Sequence, residues 1–540
     1  MIFNYFFFHS LFNCEELHYT FLFKEFYFNP WTWEKIKNYY SIVVVISWIL
    51  ISISFYNKLS FTSQDDSKPI NSTNTASDLS LTLGKNKDSL LPVIIPEKGL
   101  YQNVLITGTI GTGKTSSAIY PFIHQLLKHD MGMLILDVKG NLHIKVKEMA
   151  KKLNKKVRVI ELSGKETYNP LDKPHLKPSI LANRLRTILS LFSNQNATDT
   201  YWMDKVELYL TECIKLCRMY NDNYVTFTEL HKLIYDKKYL KEKIEFVKNL
   251  FLQNKLNYNQ TYDFSTCIDF FQSEFQTLDS KVLSIIQSEI SRITQLFIND
   301  LDVKQTFCPN KEDITFNGFE NLGNDIVVLN MNVAEYRNLA KVMAAYLKLD
   351  FQSEILMKLA KKQNISTVAF VCDEYSEYAT ENDASFFSQS REAKCINIIS
   401  TQSYTSLLNA VREQNAAKVI IQSLVNKIWF RTDDIFTIEE AQKQLGKEDK
   451  IKYSRSMSEN AKETKYSYIL KTFRSENSNL SESISTQVQH DFVYDINAFS
   501  MELKTFEAIC FITTGQEILR PQVVRLTPIF EIENKAKKFI

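Results

Sequence analysis

The sequence predicts an α/β fold with an inserted all-helical region and an N-terminal transmembrane helix. Three observations predict it. A glycine-rich loop at 108–115 stands between a strand-like run and a helix-like run. Residues 177–298 place apolar side chains at helical spacing, with hardly any glycine. Residues 39–56 form an uncharged, mostly apolar run near the N-terminus.

The composition is that of a globular protein with an ample core. Among the 540 residues, 44% are hydrophobic and 23% are charged, which excludes a disordered chain and a disulfide-stapled miniprotein. The 64 basic and 62 acidic residues leave a net charge of +2. No global positive field therefore draws nucleic acid.

Residues 39–56 predict the transmembrane helix and hence a membrane region over 1–56. The run reads YYSIVVVISWILISISFY and has no charge, proline or glycine. At 1.5 Å per residue it spans about 27 Å, just enough to cross a bilayer. A buried helix of a soluble domain is the alternative. Residues 57–89 are rich in Ser, Thr, Asn and Asp, and we interpret them as a solvated linker.

The glycine-rich loop has the pattern of a phosphate-binding loop. Its sequence, GTIGTGKT, fits G-x-x-x-x-G-K-[ST] between the strand-like run 102–107 and a helix. In such a loop backbone N–H groups surround a β-phosphate, Lys114 reaches the β- and γ-phosphates and the Thr115 hydroxyl binds Mg²⁺. We therefore predict ATP and Mg²⁺ as cofactors. The expected nucleotide contacts are Gly108, Thr109, Ile110, Gly111, Thr112, Gly113, Lys114, Thr115 and Ser116.

An apolar strand that ends in acid supplies the second half of such a site. Residues 366–375 read STVAFVCDEY, with a fully apolar run at 368–372 that suits a central parallel strand buried on both faces. Asp373 is expected to hold the Mg²⁺ shell, and Glu374 to polarise the attacking water. An acidic strand end is weak evidence alone, but it becomes strong beside the phosphate loop.

Two further residues are candidates for catalysis. Gln402 ends the apolar strand CINIISTQS (395–403), and it either senses the γ-phosphate or caps the strand. Arg391, predicted on the helix before that strand, either reaches a neighbouring subunit's phosphate as an arginine finger or lies on a solvated helix face.

The spacing of the motifs requires a large insertion. Lys114 and Asp373 lie 259 residues apart, far more than a compact α/β core needs. We assign 90–176 to the first part of a nucleotide-binding domain, 177–300 to an inserted all-α domain, and 301–540 to the second part with a C-terminal hairpin. The polar, Ser-rich stretch 450–490 is expected to be loop.

Several ordered blocks resemble one protein family, the coupling proteins of type IV secretion and conjugation systems (TraG/TraD-like ATPases). The resemblance covers roughly 80–530. Besides the two motifs above, its blocks are LILDVKG (134–140), YNPL (168–171), YW (201–202), SQSREAKCINIISTQSYTSL (388–407) and KIWFRTDD followed by EEAQKQLG.

The resemblance implies a RecA-like P-loop ATPase that assembles as a homo-oligomer, in the form of a hexamer. It implies a plasma (inner) membrane location with the ATPase domain in the cytoplasm. Expected partners are single-stranded DNA with its attached relaxase, components of the type IV secretion channel and the lipid bilayer. It also places Lys114, Glu374, Arg391 and Gln402 at catalytic positions, and so favours the functional interpretation of Arg391 and Gln402. Two alternatives stay open: effector proteins as cargo, and a nucleotide-gated membrane scaffold.

Overall fold

The structure is a computed structural model that describes residues 79–540 apart from 138, 191–196, 276–278, 321, 362–365, 412, 461–464, 468–471, 475–478 and 539–540. The predicted transmembrane helix at 39–56 and most of the predicted linker lie outside these residues. Among the helices that are described, none is both long and apolar enough to cross a bilayer.

The described residues form an α/β structure around a large mixed sheet. The strands are β1 Ser80–Asn86, β2 Pro92–Pro96, β3 Val104–Thr107, β4 Gly132–Leu136, β5 Val157–Ile160, β6 Ile326–Leu329, β7 Val368–Cys372, β8 Cys395–Thr401, β9 Asn426–Phe430, β10 Lys447–Asn460, β11 Lys465–Ser467, β12 Thr472–Arg474, β13 Asn479–Phe492, β14 Glu507–Phe511 and β15 Gln522–Leu526. The helices are α1 Glu97–Leu100, α2 Tyr120–Leu126, α3 Leu142–Lys152, α4 Pro178–Ser190, α5 Ala197–Tyr220, α6 Phe227–Tyr235, α7 Lys237–Leu252, α8 Tyr258–Asp269, α9 Ser280–Thr294, α10 Leu301–Phe307, α11 Val333–Ala360, α12 Asn382–Gln389, α13 Tyr404–Ala410, α14 Gln414–Ser423, α15 Ile435–Leu445 and α16 Ile529–Lys538.

The main sheet has 11 strands in the order β2-β1-β15-β14-β9-β3-β8-β7-β4-β6-β5. From β9 to β5 every neighbouring pair is parallel, whereas the strands from β2 to β14 pair antiparallel. All residues of β4, β7 and β8 are buried, as the apolar runs of β4 and β7 predict. β8 also buries the polar residues Asn397, Ser400 and Thr401.

The two faces of the sheet belong to different core clusters. Leu105 on β3 packs in the cluster that also contains Leu210 and Ile214 of α5, while its neighbours Val104 and Ile106 pack in the other. Successive strand residues point to opposite faces, so one short strand supports both layers. The helical region thus shares its core with one face of the sheet.

The prediction that the linker extends to residue 89 is wrong at its C-terminal end, because β1 is a strand of the sheet that pairs with β2 and β15. Its apolar signal is carried by Leu81 and Leu83, which are buried between more exposed neighbours. Two leucines in a polar stretch give too weak an alternation for a sequence to separate strand from linker.

Between β5 and β6 the regular elements are helices, from α4 to α10. The helices end later than the predicted boundary at residue 300, because α10 continues to Phe307, whose ring packs edge-on against Phe297 at a centroid distance of 6.0 Å. Side-chain caps fix several helix starts: Thr226, Asp236 and Asn257 each accept backbone N–H bonds at the first turn of α6, α7 and α8.

The prediction of a loop over 450–490 is wrong as well. There β10 and β13 pair antiparallel over 14 residues each, from Lys447 opposite Phe492 to Asn460 opposite Asn479. The two strands form a sheet of their own. A two-stranded ribbon that adds no face to the core has no need of alternating apolar residues, so its sequence does not show the period of a strand.

Candidate nucleotide site

The strand order brings the predicted site residues to one edge of the sheet. Strand β8 lies between β3 and β7, and all three are parallel. Their carboxyl ends therefore lie side by side, and these ends lead into the phosphate loop, Gln402 and the Asp373–Glu374 pair. Such an edge is where open α/β sheets bind ligands.

The phosphate loop is anchored by the two strands that flank β3. The Gly108 amide donates to the Gln402 carbonyl at 3.1 Å, and the Thr109 amide donates to the Arg431 carbonyl at 2.9 Å. Gly108 has a φ of +155°, and a Cβ there would lie 2.5 Å from the Cβ of Phe430. Only glycine fits this approach, so the first loop glycine is required by packing against β9.

The rest of the loop is shaped by its own polar groups. The Thr112 hydroxyl donates to the Thr109 carbonyl at 2.9 Å, and the Ser116 hydroxyl donates to the Gly113 carbonyl at 3.2 Å. Ile110 lies at the tip with 80% of its side chain exposed. The helix after the loop opens with a π-type turn, Thr115–Ile119, before α2. Such turns are frequent at functional sites.

Lys114 is buried within the loop. Its Nζ donates to the carbonyls of Gly108 and Thr109, the latter at 3.2 Å. Burial lowers the pKa of this amine, while the charges of Glu374 and Asp373 act in the opposite direction. Both hydrogen-bond acceptors are neutral carbonyls, so a phosphate that entered the loop would give the ammonium its first direct anionic partner.

Thr115 and Asp373 meet as the predicted metal-binding pair. The Thr115 hydroxyl donates to Asp373 Oδ2 at 2.7 Å, and Oδ1 of Asp373 accepts the Glu374 amide at 3.1 Å. A hydroxyl and a carboxylate are the hard oxygen ligands that Mg²⁺ prefers. In the part of the chain that the structure describes, no three acidic, His or Cys side chains gather into a metal site. The pair therefore fits a Mg²⁺ ion that takes its remaining ligands from phosphate oxygens and water.

Glu374 stands at the end of β7 in a left-handed conformation, with φ 52° and ψ 49°. Non-glycine residues rarely adopt this region, and it is often found where function requires it. Partial burial raises the pKa of the Glu374 carboxyl, and the Asp373 charge raises it further. Gln402 Nε2 donates to Glu374 Oε2 at 3.4 Å, a long bond. The carboxylate is thus held loosely beside the candidate metal-binding pair.

Arg391 lies elsewhere. It is exposed in the turn between α12 and β8, four residues before β8 begins, rather than on the predicted helix. The chain leaves the helix there because the Cys395 amide turns back to the Ser390 carbonyl at 3.0 Å. Arg391 therefore sits at the amino end of β8, about 20 Å from the carboxyl edge at ~3.3 Å per residue. It does not join the phosphate loop of its own chain.

Two residues of the site were not singled out by the motifs. Asp137, after β4, is buried, and its carboxylate accepts the amides of Lys139, Asn141 and Leu142, each at 3.0 Å. It thereby orders the turn that carries Lys139. The charge of Lys139 lowers the pKa of Lys114, as burial does, and it lowers the pKa of Glu374, which burial raises. The signal was present in the block LILDVKG, where polar residues follow an apolar strand.

Comparisons with known proteins agree with this architecture. The family model described as "Type IV secretory system Conjugative DNA transfer" matches residues 66–308, and the model "TraM recognition site of TraD and TraG" matches 367–490. Together the two matches cover most of the chain. A search of curated proteins found no match.

Solved structures share the fold at low identity. The bacterial conjugative coupling protein TrwBdeltaN70 is 14% identical, covers 81% of this chain and 87% of its own, and has a TM-score of 0.51. TrwB in complex with the GTP analogue GDPNP is 14% identical, with coverages of 84% and 90% and a TM-score of 0.51. VirB4 of Thermoanaerobacter pseudethanolicus is 14% identical, with coverages of 84% and 97% and a TM-score of 0.50. The RecA-like fold of the prediction is the fold of these structures, and the two family matches show that this chain belongs to the coupling proteins of type IV secretion and conjugation systems.

Proposed function

We propose that this chain is a membrane-anchored ATPase that moves single-stranded DNA with an attached relaxase to a type IV secretion channel. The observation that carries the proposal is the meeting of Lys114, Thr115, Asp373, Glu374 and Gln402 at one sheet edge. Known structures of TrwB hold an ATP analogue, a GTP analogue, or ADP with Mg²⁺, which supports nucleotide and metal use in the family.

Each residue has a role that its position supports. Loop amides and Lys114 bind the β- and γ-phosphates, and Thr115 and Asp373 hold Mg²⁺, which when bound neutralises charge on the phosphates. Glu374 accepts a proton from the attacking water, because its carboxylate is partly desolvated and, within the described part of the chain, has one weak side-chain donor. Gln402 couples this base to the loop, since its side chain meets Glu374 and its carbonyl accepts the Gly108 amide.

The position of Arg391 supports the proposal that the chain assembles as a ring. Because it lies at the opposite edge of the sheet from the phosphate loop of its own chain, any phosphate that it contacts belongs to another subunit. We propose that it serves as an arginine finger in trans in a homo-oligomer, with six subunits as the expected number. Membrane anchoring by the helix predicted at 39–56 belongs to the same proposal.

The test uses the full-length protein in membranes or detergent. We expect ATP hydrolysis that single-stranded DNA stimulates, and that Lys114→Ala abolishes together with nucleotide binding. Arg391→Ala should also abolish hydrolysis but keep binding. Mixing these two inactive variants should restore activity, because about a quarter of the interfaces in a random ring join an intact loop to an intact arginine.

Cellular transfer separates the alternatives. A deletion strain complemented with Glu374→Gln should lose conjugation. Transfer that survives both Glu374→Gln and Lys114→Ala would leave the membrane scaffold as the better explanation. Hydrolysis that responds to a secreted effector protein and is unchanged over a DNA titration would show protein cargo instead.

A further inference from the structure

The two flanks of the phosphate loop carry different chemistry. In the sheet order β14-β9-β3-β8-β7, the acids and Gln402 follow β7 and β8, on one side of β3. On the other side β14 runs antiparallel to β9, so its first residue, Glu507, lies at the same edge of the sheet as the loop. Phe506 directly precedes it. The edge therefore has one flank with the acids and Gln402, and a second flank where the Phe506 ring stands beside Glu507, whose carboxylate pairs with Lys87 at 3.0 Å. The loop lies between the two flanks.

Phe506 packs on the loop itself. Its amide donates to the Thr112 carbonyl at 3.1 Å, and a Cβ at Gly113 would lie 2.4 Å from Cδ1 of the Phe506 ring. The φ of Phe506 is +69°, a conformation that costs a bulky residue of order 1–3 kcal/mol. The surrounding bonds hold it there, including the Leu526 amide, which donates to the Phe506 carbonyl at 2.8 Å.

A second ring stands beside it. Phe530, on α16, lies 5.9 Å from Phe506 between centroids, at an interplanar angle of 66°. It is 47% exposed, so part of the ring faces solvent beside the loop. Helix α16 packs against the turn Thr115–Ile119 that follows the loop. The exposed ring is thus attached to the same turn that carries Thr115.

A nucleotide in the loop has two ends, and the flanks distinguish them. Its γ-phosphate must face Glu374 and Gln402 for hydrolysis, so its base extends from the other side. We infer that Phe530 and Phe506 form the subsite for the purine base, in which Phe530 offers the stacking surface and Phe506 fixes that ring against the loop. The inference rests on the proposed function, since it needs a triphosphate in the loop.

The rings also set the selectivity. Aromatic faces stack on any base and, unlike amide or hydroxyl groups, do not read the hydrogen-bonding edge. The subsite should therefore not distinguish adenine from guanine, and the two nucleotides should bind about equally. A bare triphosphate, which has no base, should gain nothing from it.

The experiment measures dissociation constants of the full chain for MgATP, MgGTP and Mg-tripolyphosphate. Phe530→Ala should weaken both nucleotides about tenfold and leave tripolyphosphate unchanged. Phe506→Leu, which keeps an apolar side chain without the ring, should weaken them in the same sense. The control Phe246→Ala removes a ring of matched exposure, 49%, from α7 and should change none of the three constants.

The outcomes are distinct. Unchanged nucleotide affinity in both Phe530→Ala and Phe506→Leu, with melting temperatures near that of the wild type, would overturn the subsite while the nucleotide function stood. Equal losses for ATP and tripolyphosphate would also overturn it, because the damage would then lie in the loop. A wild-type chain that binds none of the three, and that Lys114→Ala does not alter, would remove the proposed function and the subsite with it.

Discussion

The nucleotide edge comprises the phosphate loop, Asp373, Glu374 and Gln402. The base of the helical region comprises Lys173, Arg184 and Asp350. Both regions gather charged side chains, but these side chains have different kinds of partner. At the nucleotide edge, among the residues that the structure describes, Lys114 bonds to neutral carbonyls and Glu374 has one long side-chain bond, from Gln402. At the base of the helical region, Asp350 on α11 is fully buried and accepts from Lys173 at 3.0 Å, Arg184 at 2.9 Å and Tyr168 at 2.8 Å.

The pKa shifts follow the same division. Burial raises the pKa of both carboxyls, but around Asp350 the charges of Lys173 and Arg184 outweigh burial, so its pKa lies below its ordinary value. At Glu374 burial and Asp373 act together, and its pKa lies above its ordinary value. A carboxylate paired with two buried cations holds the fold together, whereas one with few partners is kept ready for a ligand.

One helix links the two regions. Along α11, Asp350 and Glu354 pair with Lys173 and His175 ahead of the helical region. On another face of α11, Lys348 and Gln352 bond to the buried Asp383, which also accepts the Tyr375 hydroxyl and the Thr380 amide. Tyr375 follows Glu374 directly, so α11 connects the segment after Glu374 to the helical region.

Glu374→Gln should break the nucleotide edge with the largest effect. Hydrolysis should fall by roughly 10²–10⁴-fold, because an amide does not accept the proton of water. Nucleotide binding should persist, and the melting temperature should rise, since the variant removes a desolvated carboxylate that Asp373 repels. Steady-state ATPase assays and thermal unfolding measure the two effects.

The matched control is Glu377→Gln, an exposed carboxylate three residues later that pairs with Lys341 at 2.6 Å. It should leave hydrolysis near the wild-type rate. A Glu374→Gln variant with wild-type activity, or one that melts at a lower temperature, would contradict the difference that we infer between the Glu374 and Asp350 sites.

Asp350→Asn should lower the stability of the fold, whereas Glu374→Gln should raise it. It leaves Lys173 and Arg184 buried without their carboxylate, which costs about 3–5 kcal/mol in comparable buried pairs. Thermal unfolding should show a clear loss of stability. Asp204→Asn serves as control, because Asp204 pairs with Arg186 at 2.6 Å but is 60% exposed. Equal stability of these two variants would show that the Asp350 cluster does not hold the fold.

Lys427 is a buried amine whose hydrogen-bond acceptors, among the described residues, are backbone carbonyls. Burial lowers its pKa to about 7, and its Nζ donates to the Ile421 and Leu424 carbonyls. From pH 7 to the unfolded pKa near 10.4, the unfolded chain holds a proton that the folded chain has released, so the free energy of unfolding rises with pH.

The measured quantity is the stability of the wild type minus that of Lys427→Met, because buried cysteines titrate in the opposite sense. This difference should grow by about 1–2 kcal/mol between pH 7 and pH 9. Lys418→Met, at an exposed position on α14, is the control for the substitution itself, because it removes no buried amine. A flat difference for Lys427→Met would mean that its ammonium stays charged.

The smallest effect is expected at a surface pair. On α7, Lys238 and Glu242 lie 4.0 Å apart at i,i+4 spacing, with side chains 88% and 61% exposed. Glu242→Gln should cost at most ~0.5 kcal/mol of unfolding free energy, and less in high salt. A loss as large as that of Asp350→Asn would show that exposure does not decide the worth of these pairs.

Much of the fold could be predicted from local pattern. The strands β3, β7, β8 and β9 and the phosphate loop were readable because a buried parallel strand needs an apolar run and a phosphate loop needs its glycines. β1 and the ribbon of β10 and β13 escaped prediction. Their strands are recognised by the partners they pair with, which a single sequence does not display.

The same limit applies to the candidate site. The motifs identified Lys114, Thr115, Asp373, Glu374 and Gln402, since each stands next to a strand end that the pattern reveals. Phe506 had no such signal: it is separated from Gly113 by 393 residues, and a phenylalanine before a strand is unremarkable. Its contact with the loop exists only because β14 returns antiparallel beside β9.

By itself, then, the sequence determined the pattern of a phosphate-binding loop and the insertion, because those depend on residue type and local spacing. The tertiary structure decided which groups share an edge. It placed Gln402 between the loop and the acids, sent Arg391 to the far end of the same strand, and brought Phe506 and Phe530 to the flank opposite Glu374. The physical reason is that strand order is set by nonlocal pairing and packing, which no local period of the chain encodes.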